Sequence, residues 1–549
     1  MKQSLANKCM TRILLLFISL FIGISCLGEE RGVIVVNNVQ SLTSSQLKEG
    51  CIVKTLGYNE PGDGGGNEFM IVSASLSDNG GTTIKLRNGN YAKSVLDIDK
   101  IDIRHFGATN NANAHSDAIF RKYVEWCKTN RDYIVKLPAM VLSLYDTYVF
   151  EPNEAGKNIK LIGEHHIEHR YNREIRLDEH LGTHSGTVIY SHAKDGIFFD
   201  IQNTDLYAGV VIENVAFYGN NHLTLALRIV SGGQEVKLSD VDICNFYGGA
   251  IHFNNVYDGY ITNLTIKDCA KYYDNKQHPA LRFYADRKDA KLGLNKPTNT
   301  NALHFTNFHF EHCDCFALFE KCADIFFVNG KMESMAGEDE NYKQDPIKSS
   351  EPFIDFTNDG GLVSFNSVFF KTPSTSRMLL SAPEMSVEQL PYFIRINTRS
   401  RGFVTFDNCM FLSFTGGGMP ICCDSPMSHC TISNSIFRYI TTGRIAIKAN
   451  QMTIMGCTIC LENEGALFID GHPANNAISK RTKGKPIVVG NDCLILSNKF
   501  LLGNPTTGGS VHTNYQIDAV DVVGDNNVIE NNMFQFVDDK GPGIPVSLQ

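Results

Sequence analysis

One short phrase recurs along this chain: an apolar alternating strand, a polar residue, then another apolar strand. It reads VIENVAF at 211–217, VKLSDVDI at 236–243, YITNLTI at 260–266, LHFTNFHF at 303–310, IFFVNGKM at 325–332, VSFNSVFF at 363–370, VTFDNCMF at 404–411, TISNSIF at 431–437 and NVIENNMF at 527–534. The central residues Asn214, Asp240, Asn263, Asn307, Asn329, Asn366, Asn408, Asn434 and Asn531 follow a period in the low twenties that insertions lengthen. A period of that size, built from strands with no amphipathic helix between them, signals a solenoid whose rungs each bury one face against their neighbours. A leucine-rich repeat needs a Leu-x-Leu frame and a propeller blade is about twice as long; neither pattern is present. Asn residues aligned at a tight bend satisfy one another's amides along the stack, so a corner turns without burying unpaired polar atoms. The expected fold is all-β, a right-handed parallel β-helix over residues 140–549.

The 549 residues are 43% hydrophobic, enough for a large core, and a solenoid escapes the usual ceiling on domain size because it grows in one dimension. The net charge of −9 argues against nucleic acid as a partner, so an anionic ligand has to meet a local basic patch. At the N-terminus Lys2, Lys8 and Arg12 precede the apolar run ILLLFISLFIGI at 13–24, then Ser25-Cys26. That run is short for a membrane span and has the charge, length and small-residue end of an export signal over residues 1–26. Gly23-Ile24-Ser25-Cys26 resembles a relaxed bacterial lipoprotein box. Export is expected, either with a lipid on Cys26 tethering the protein to a membrane or with cleavage nearby and release. The expected location is the periplasm, the outer-membrane surface or the extracellular space, and the expected state is a monomer.

Sixteen cysteines in an exported chain suggest disulfides, but their positions point elsewhere. Cys244, Cys269 and Cys313 end successive repeat phrases, while Cys409, Cys430 and Cys457 lie within or just before later ones. That placement suits a column of small apolar residues inside the coil. Cys313-x-Cys315, Cys422-Cys423 and Cys457-x-x-Cys460 lack the further Cys or His pairs that complete a zinc site.

Residues 27–100 read as a small β module. GYNEPGDGGGNEF at 57–69 is a glycine-rich turn between short β patterns; without a Gly-Lys-Ser/Thr ending and a following helix it is not a phosphate loop. Within 101–139, residues 116–128 show helical spacing ahead of the first strands. A helix there caps the coil, whose open end would expose an apolar cross-section and unpaired strand edges. The succession YNEPGDGGG, HFGA, Asp117-Ala118 and VKLPA, over about residues 50–150, resembles the start of pectate-lyase-like β-helix proteins, which include polysaccharide lyases, some glycoside hydrolases and phage tailspikes. The resemblance implies a carbohydrate-active protein. With the lipoprotein-like signal, the chain is similar to Bacteroidetes polysaccharide lyases that act on glycosaminoglycans.

A further strand precedes the repeat phrase in several rungs: LALRIV at 225–230, AIHFNN at 250–255, ALRFYA at 280–285 and FIDFT at 353–357. With Leu227/Ile229, Ile251/Phe253, Leu281/Phe283 and Ile354/Phe356 inward, alternation turns Arg228, His252, Arg282 and Asp355 outward as one column. A solvated face is the plain alternative; a His between two Arg is the candidate site. The segment 271–300 carries seven Lys or Arg against three Asp, with Lys271, Tyr272, Tyr273, His278 and Tyr284 among its residues. Its cations suit carboxylate or sulfate, and its tyrosines can stack on a sugar or donate a proton. An insertion at 163–186 holds His165, His166, His169, His180 and His184 with Arg170, Arg173 and Arg176. Lacking an HExxH spacing, these read as substrate contacts rather than metal ligands.

Uronic-acid chains are cut by β-elimination when a base removes the C5 proton, a cation or amide neutralises the adjacent carboxylate, and an acid protonates the leaving oxygen. His252 is the expected base, Arg282 and Arg228 the carboxylate binders and Tyr284 the acid. The expected partner is an anionic polysaccharide; chondroitin sulfate and hyaluronan fit a basic, tyrosine-containing groove, with pectin, alginate, heparin or ulvan close behind. Trp126, the only tryptophan, lies in the expected cap helix, so the coil lacks the usual platforms for crystalline neutral glycans. No cofactor is specified by the sequence; Glu311 and Glu333 offer carboxylates to a divalent cation such as calcium, and metal stays open at this point. The alternatives are hydrolysis by paired carboxylates drawn from Asp240, Asp242, Asp268 and Glu311, with Asp242 outward only if its strand shifts register, and glycan binding without cleavage.

Overall fold

The computed structural model describes residues 32–151, 158–164, 186–202, 209–230, 236–271, 278–286, 299–333, 351–357, 361–372, 392–398, 402–413, 419–423, 427–441, 447–462, 468–469, 472–473, 487–502, 520–522, 524–538 and 541–542. The chain divides into two compact units, Met1–Gly107 and Ala108–Gln549. No helix among the described residues is long and apolar enough to cross a membrane.

In the first unit a five-stranded sheet packs on the short helix Val39–Thr43 around Leu42, Val53, Phe69, Ile71, Ile84 and Ala92. The glycine-rich turn wraps one of its own carboxylates. Asp63 accepts hydrogen bonds from the backbone N–H groups of Tyr58, Asn59, Glu60 and Gly65 at 2.7–3.2 Å. Burial works against the charge, but these four donors hold the Asp63 carboxyl below its ordinary range. A side chain at Gly65 would run into the Arg104 carbonyl, so the glycines serve close backbone approach.

The second unit is the coil. Successive rungs pair in parallel to build a 22-stranded sheet, whose strands bend, and a 12-stranded sheet. The bend falls on the recurring polar residue. Asn214, Asp240, Asn263, Asn307, Asn329, Asn408, Asn434 and Asn531 all have φ between 50° and 57°, the left-handed region that Asn and Asp tolerate best. Their side chains bond along the stack, Asn263 Nδ2 to Asp240 Oδ1 at 2.8 Å and Asn329 Nδ2 to Asn307 Oδ1 at 2.6 Å. The fifth interval differs from expectation. The corner residue there is Ser367, φ 56°, and Asn366 stands one place earlier, accepting from the Ser367 hydroxyl at 2.8 Å. The long gap before Asn531 is filled by two rungs whose corners are Gly456 (φ 64°) and Ser497 (φ 55°).

Inside the coil, aromatic rings stack from rung to rung at the strand spacing. Phe253, Phe283, Phe319 and Phe356 form one ladder with centroids 4.5–5.4 Å apart, and Phe305, Phe327, Phe365 and Phe406 another at 4.6–5.1 Å. The cap helix spans Asp117–Asn130 and buries Phe120, Tyr123, Trp126 and Cys127. Asp117 fastens its start: the carboxylate accepts from the Tyr145 and Asp146 N–H groups, both at 2.9 Å, and from the Tyr148 hydroxyl at 2.6 Å. None of the fourteen cysteines described is in a disulfide, and all but Cys51 and Cys460 are buried. Burial pushes Cys313 and Cys409 up to about 12, which suppresses thiolate chemistry. Cys244 departs from the expected inner column: it lies in an apolar cluster with Ala112, Val141, Val188, Ala216 and Tyr218, in register with Lys267 of the next strand.

Candidate functional site

The 12-stranded sheet sets Arg228, His252 and Arg282 side by side on consecutive strands, 225–230, 251–254 and 281–284. Leu227, Ile229, Ile251, Phe253, Leu281 and Phe283 are fully buried between them, so alternation turns the three polar side chains outward. The column is longer than the sequence suggests. Asp200 precedes Arg228, and the short strand Ala317–Phe319 places Leu318 between Arg282 and Asp355; Arg395 follows Asp355. Asp355 is therefore two strands from Arg282 rather than its neighbour.

Each guanidinium already holds a carboxylate. Arg228 pairs side-on with Asp200 through Nε (2.9 Å) and Nη2 (2.6 Å). Arg282 does the same with Glu320 (2.6 and 3.2 Å), and Arg395 with Asp355 (3.0 and 2.7 Å) while reaching Glu351 at 2.8 Å. Among the described residues three guanidiniums thus face four carboxylates, and the described part of the strip carries no surplus of positive charge. Asp200 and Arg395 were legible in the same alternating frame, as IFFDIQ at 197–202 and YFIRI at 392–396. Glu320 was not, since it follows a three-residue strand.

His252 lies between the first two pairs. Its Nε2 is 3.4 Å from the Pro279 carbonyl, which only accepts, so Nε2 carries the ring proton and Nδ1 the lone pair. Burial, then the Arg282 charge, with Arg228 and His278 adding to it, drives the imidazole down to about 3 despite that hydrogen bond. Tyr284 stands edge-on to His252, centroids 6.4 Å apart, with the Arg282 guanidinium 4.3 Å above its ring. Lys271 does not join this strip: it is buried, its Nζ donates to the His312 carbonyl at 2.7 Å, and Asp314 lies 3.8 Å away. It is a structural cation rather than a substrate contact. His165, His166, Arg170, Arg173, Tyr272, Tyr273 and Cys26 lie outside the described residues.

A second constellation occupies the outer face of the bent sheet. The left-handed corner at Asp240 resets the alternation, so Asp242 joins an outward column with Thr265, His309 and Lys331, with no register shift at that point. Beside it run Lys267, Glu311, Glu333 and Lys371. Glu311 lies 3.6 Å from His312, 3.7 Å from His309 and 4.0 Å from Lys267. Glu333, which is buried, is held by Lys331 and Lys371, which keep it ionised despite burial. Both glutamates offered to calcium by the sequence therefore face ammonium or imidazole groups. Among the described residues no group of three or more His, Cys, Asp or Glu is placed to hold a metal ion.

No family model and no curated protein matches this chain. Solved structures do. A Pantoea stewartii protein described as a glycan biofilm modifying enzyme with a bacteriophage tailspike-like parallel β-helix fold is 13% identical, with a TM-score of 0.41 over 94% of this chain and 52% of its own. The tailspike of Acinetobacter phage vB_ApiP_P1 is 16% identical, with a TM-score of 0.47 over 88% of this chain and 73% of its own. The chain spans about half the length of the Pantoea protein. The parallel β-helix assignment stands on the strand register itself.

Proposed function

We propose that this protein is an exported polysaccharide lyase that cleaves uronic-acid-containing anionic polysaccharide by β-elimination, with a glycosaminoglycan such as chondroitin sulfate or hyaluronan as substrate. The carrying observation is a neutral histidine, His252, set in register between two guanidiniums on one outer column. A free imidazole nitrogen can take the C5 proton, and the charge that develops on the adjacent carboxylate falls beside Arg282 and Arg228. A guanidinium has five N–H donors, and a side-on carboxylate pair engages two of them, so substrate can share Arg282 with Glu320. Tyr284, held under Arg282, is the assigned proton donor to the leaving oxygen. A lipid on Cys26 would tether the enzyme at a membrane surface.

The test is absorbance near 232 nm, the band of the enone-type product, during incubation with a panel of uronic-acid polysaccharides with and without a chelator. A rise on one polymer, lowered at least about a hundredfold in His252→Ala, supports the assignment. New reducing ends without that absorbance would move it to hydrolysis.

A further inference from the structure

The second constellation has the parts of an acid–base centre, on a different outer face from His252. His309 is half-exposed, yet its Nε2 is buried and makes no hydrogen bond among the described residues; Glu311 Oε2 is 3.7 Å from it. With Nε2 turned inward toward a carboxylate, Nδ1 is the nitrogen left to face solvent. Burial lowers the His309 pKa; Glu311 and Glu333 oppose that effect while Lys331 and Lys267 add to it, so the ring is neutral and able to accept a proton near pH 7. Glu311 is itself fixed by His312 at 3.6 Å and Lys267 at 4.0 Å.

Lys331 is the next residue along the His309 column, one strand away. It shares Glu333 with Lys371, so one carboxylate charge is opposed by two ammonium groups. Counting Lys267 and Glu311, three lysines face two glutamates around His309 among the described residues. Asp242 lies two strands back along the column, and Asp268 is engaged by His312 at 3.3 Å. A half-exposed, neutral imidazole whose inner nitrogen faces a carboxylate, beside several ammonium groups, is the arrangement of an acid–base centre, and perturbed ionisable groups cluster at such sites.

We propose that His309, positioned by Glu311 and flanked by Lys331, is a second acid–base centre that takes a uronic-acid residue of an anionic glycan. Lys331 pairs with the sugar carboxylate and His309 Nδ1 takes the C5 proton. The C5–H electron pair becomes the C4=C5 double bond as the C4–O4 bond breaks, and its electrons leave on O4. O4 is protonated by a water molecule, and the imidazolium returns its proton to the resulting hydroxide. The inference rests on the uronate-elimination reading and adds a site to it.

The test places His309→Gln, Glu311→Gln and Lys331→Met in the His252→Ala protein and follows the elimination that remains on the polymer cleaved fastest, with unfolding midpoints checked to be alike. In that background His309→Gln should lower the remaining kcat by about a hundredfold or more with KM little changed. His309→Gly should regain activity with added imidazole, which a packing role would not allow. Glu311→Gln should move the acid limb of the pH profile, and Lys331→Met should raise KM. No elimination left in His252→Ala, or a remaining kcat that His309→Gln does not change, overturns the proposal while leaving elimination at His252 intact. If wild-type protein forms no unsaturated product on any polymer, the elimination reading fails, and calorimetry with a hyaluronan hexasaccharide decides the site: a tenfold loss of affinity in Lys331→Met supports a uronate site there, and unchanged affinity or no binding by wild-type protein overturns it.

Discussion

His252 makes a quantitative prediction about acid. In the folded protein burial and the two flanking guanidiniums hold its pKa at about 3, whereas an unfolded His titrates near 6.5. Between those values the unfolded chain binds a proton that the folded chain refuses, so stability rises with pH across the window and is lost as pH falls. Integrating from pH 6.5 down to pH 4.5, this one residue removes at most about 2 kcal/mol. His252→Gln cannot take up that proton. Its denaturation midpoint should therefore fall less than that of wild-type protein over the same interval. Carboxylates such as Asp117, whose pKa hydrogen bonds lower against burial, contribute equally to both proteins and cancel in the difference. If the two curves stay parallel, or the His252 ring titrates near 6.5 by NMR, the neutral-base argument fails. A uronate carboxylate seated by Arg282 should raise the ring's pKa by at least about one unit.

Phe305→Ala should cost about 3–5 kcal/mol in chemical denaturation, because the ring is fully buried, stacked on Phe327 at 4.6 Å and met edge-on by Phe253 and Phe283. Asn329→Ala should destabilise by about 1–2 kcal/mol by removing the bond to Asn307 and leaving at φ 55° a residue that tolerates the left-handed region less well than Asn, whereas Asn329→Gly should recover the backbone part of that loss. Glu320→Gln should leave Arg282 with a weaker partner. The melting temperature falls, and affinity for an anionic oligosaccharide rises if Arg282 is the carboxylate binder.

The fold was legible because a coil repeats its constraints. Asn263 and Asn329 are read as corners since only a polar residue tolerant of φ near 55° recurs between alternating strands. Gly456 and Ser497 make the same corner without an amide, so those rungs escaped the pattern. The column Arg228, His252, Arg282 followed from alternation, which needs only local sequence. Its electrostatics did not, because Asp200 and Glu320 come from other rungs, 28 and 38 residues from the arginines they bind. Asp242 and His309 were hidden for a different reason. A strand that bends at a left-handed residue restarts its alternation, and period two carried straight through Asp240 puts Asp242 on the wrong side.

The most direct test of the central claim is the mass of the oligosaccharides released from the cleaved polymer. β-Elimination splits the chain without adding water, so each cut should leave one fragment with an unsaturated terminal uronate and the products should sum to the mass of the parent segment. Fragments that together exceed it by one water per cut would show hydrolysis and contradict the account.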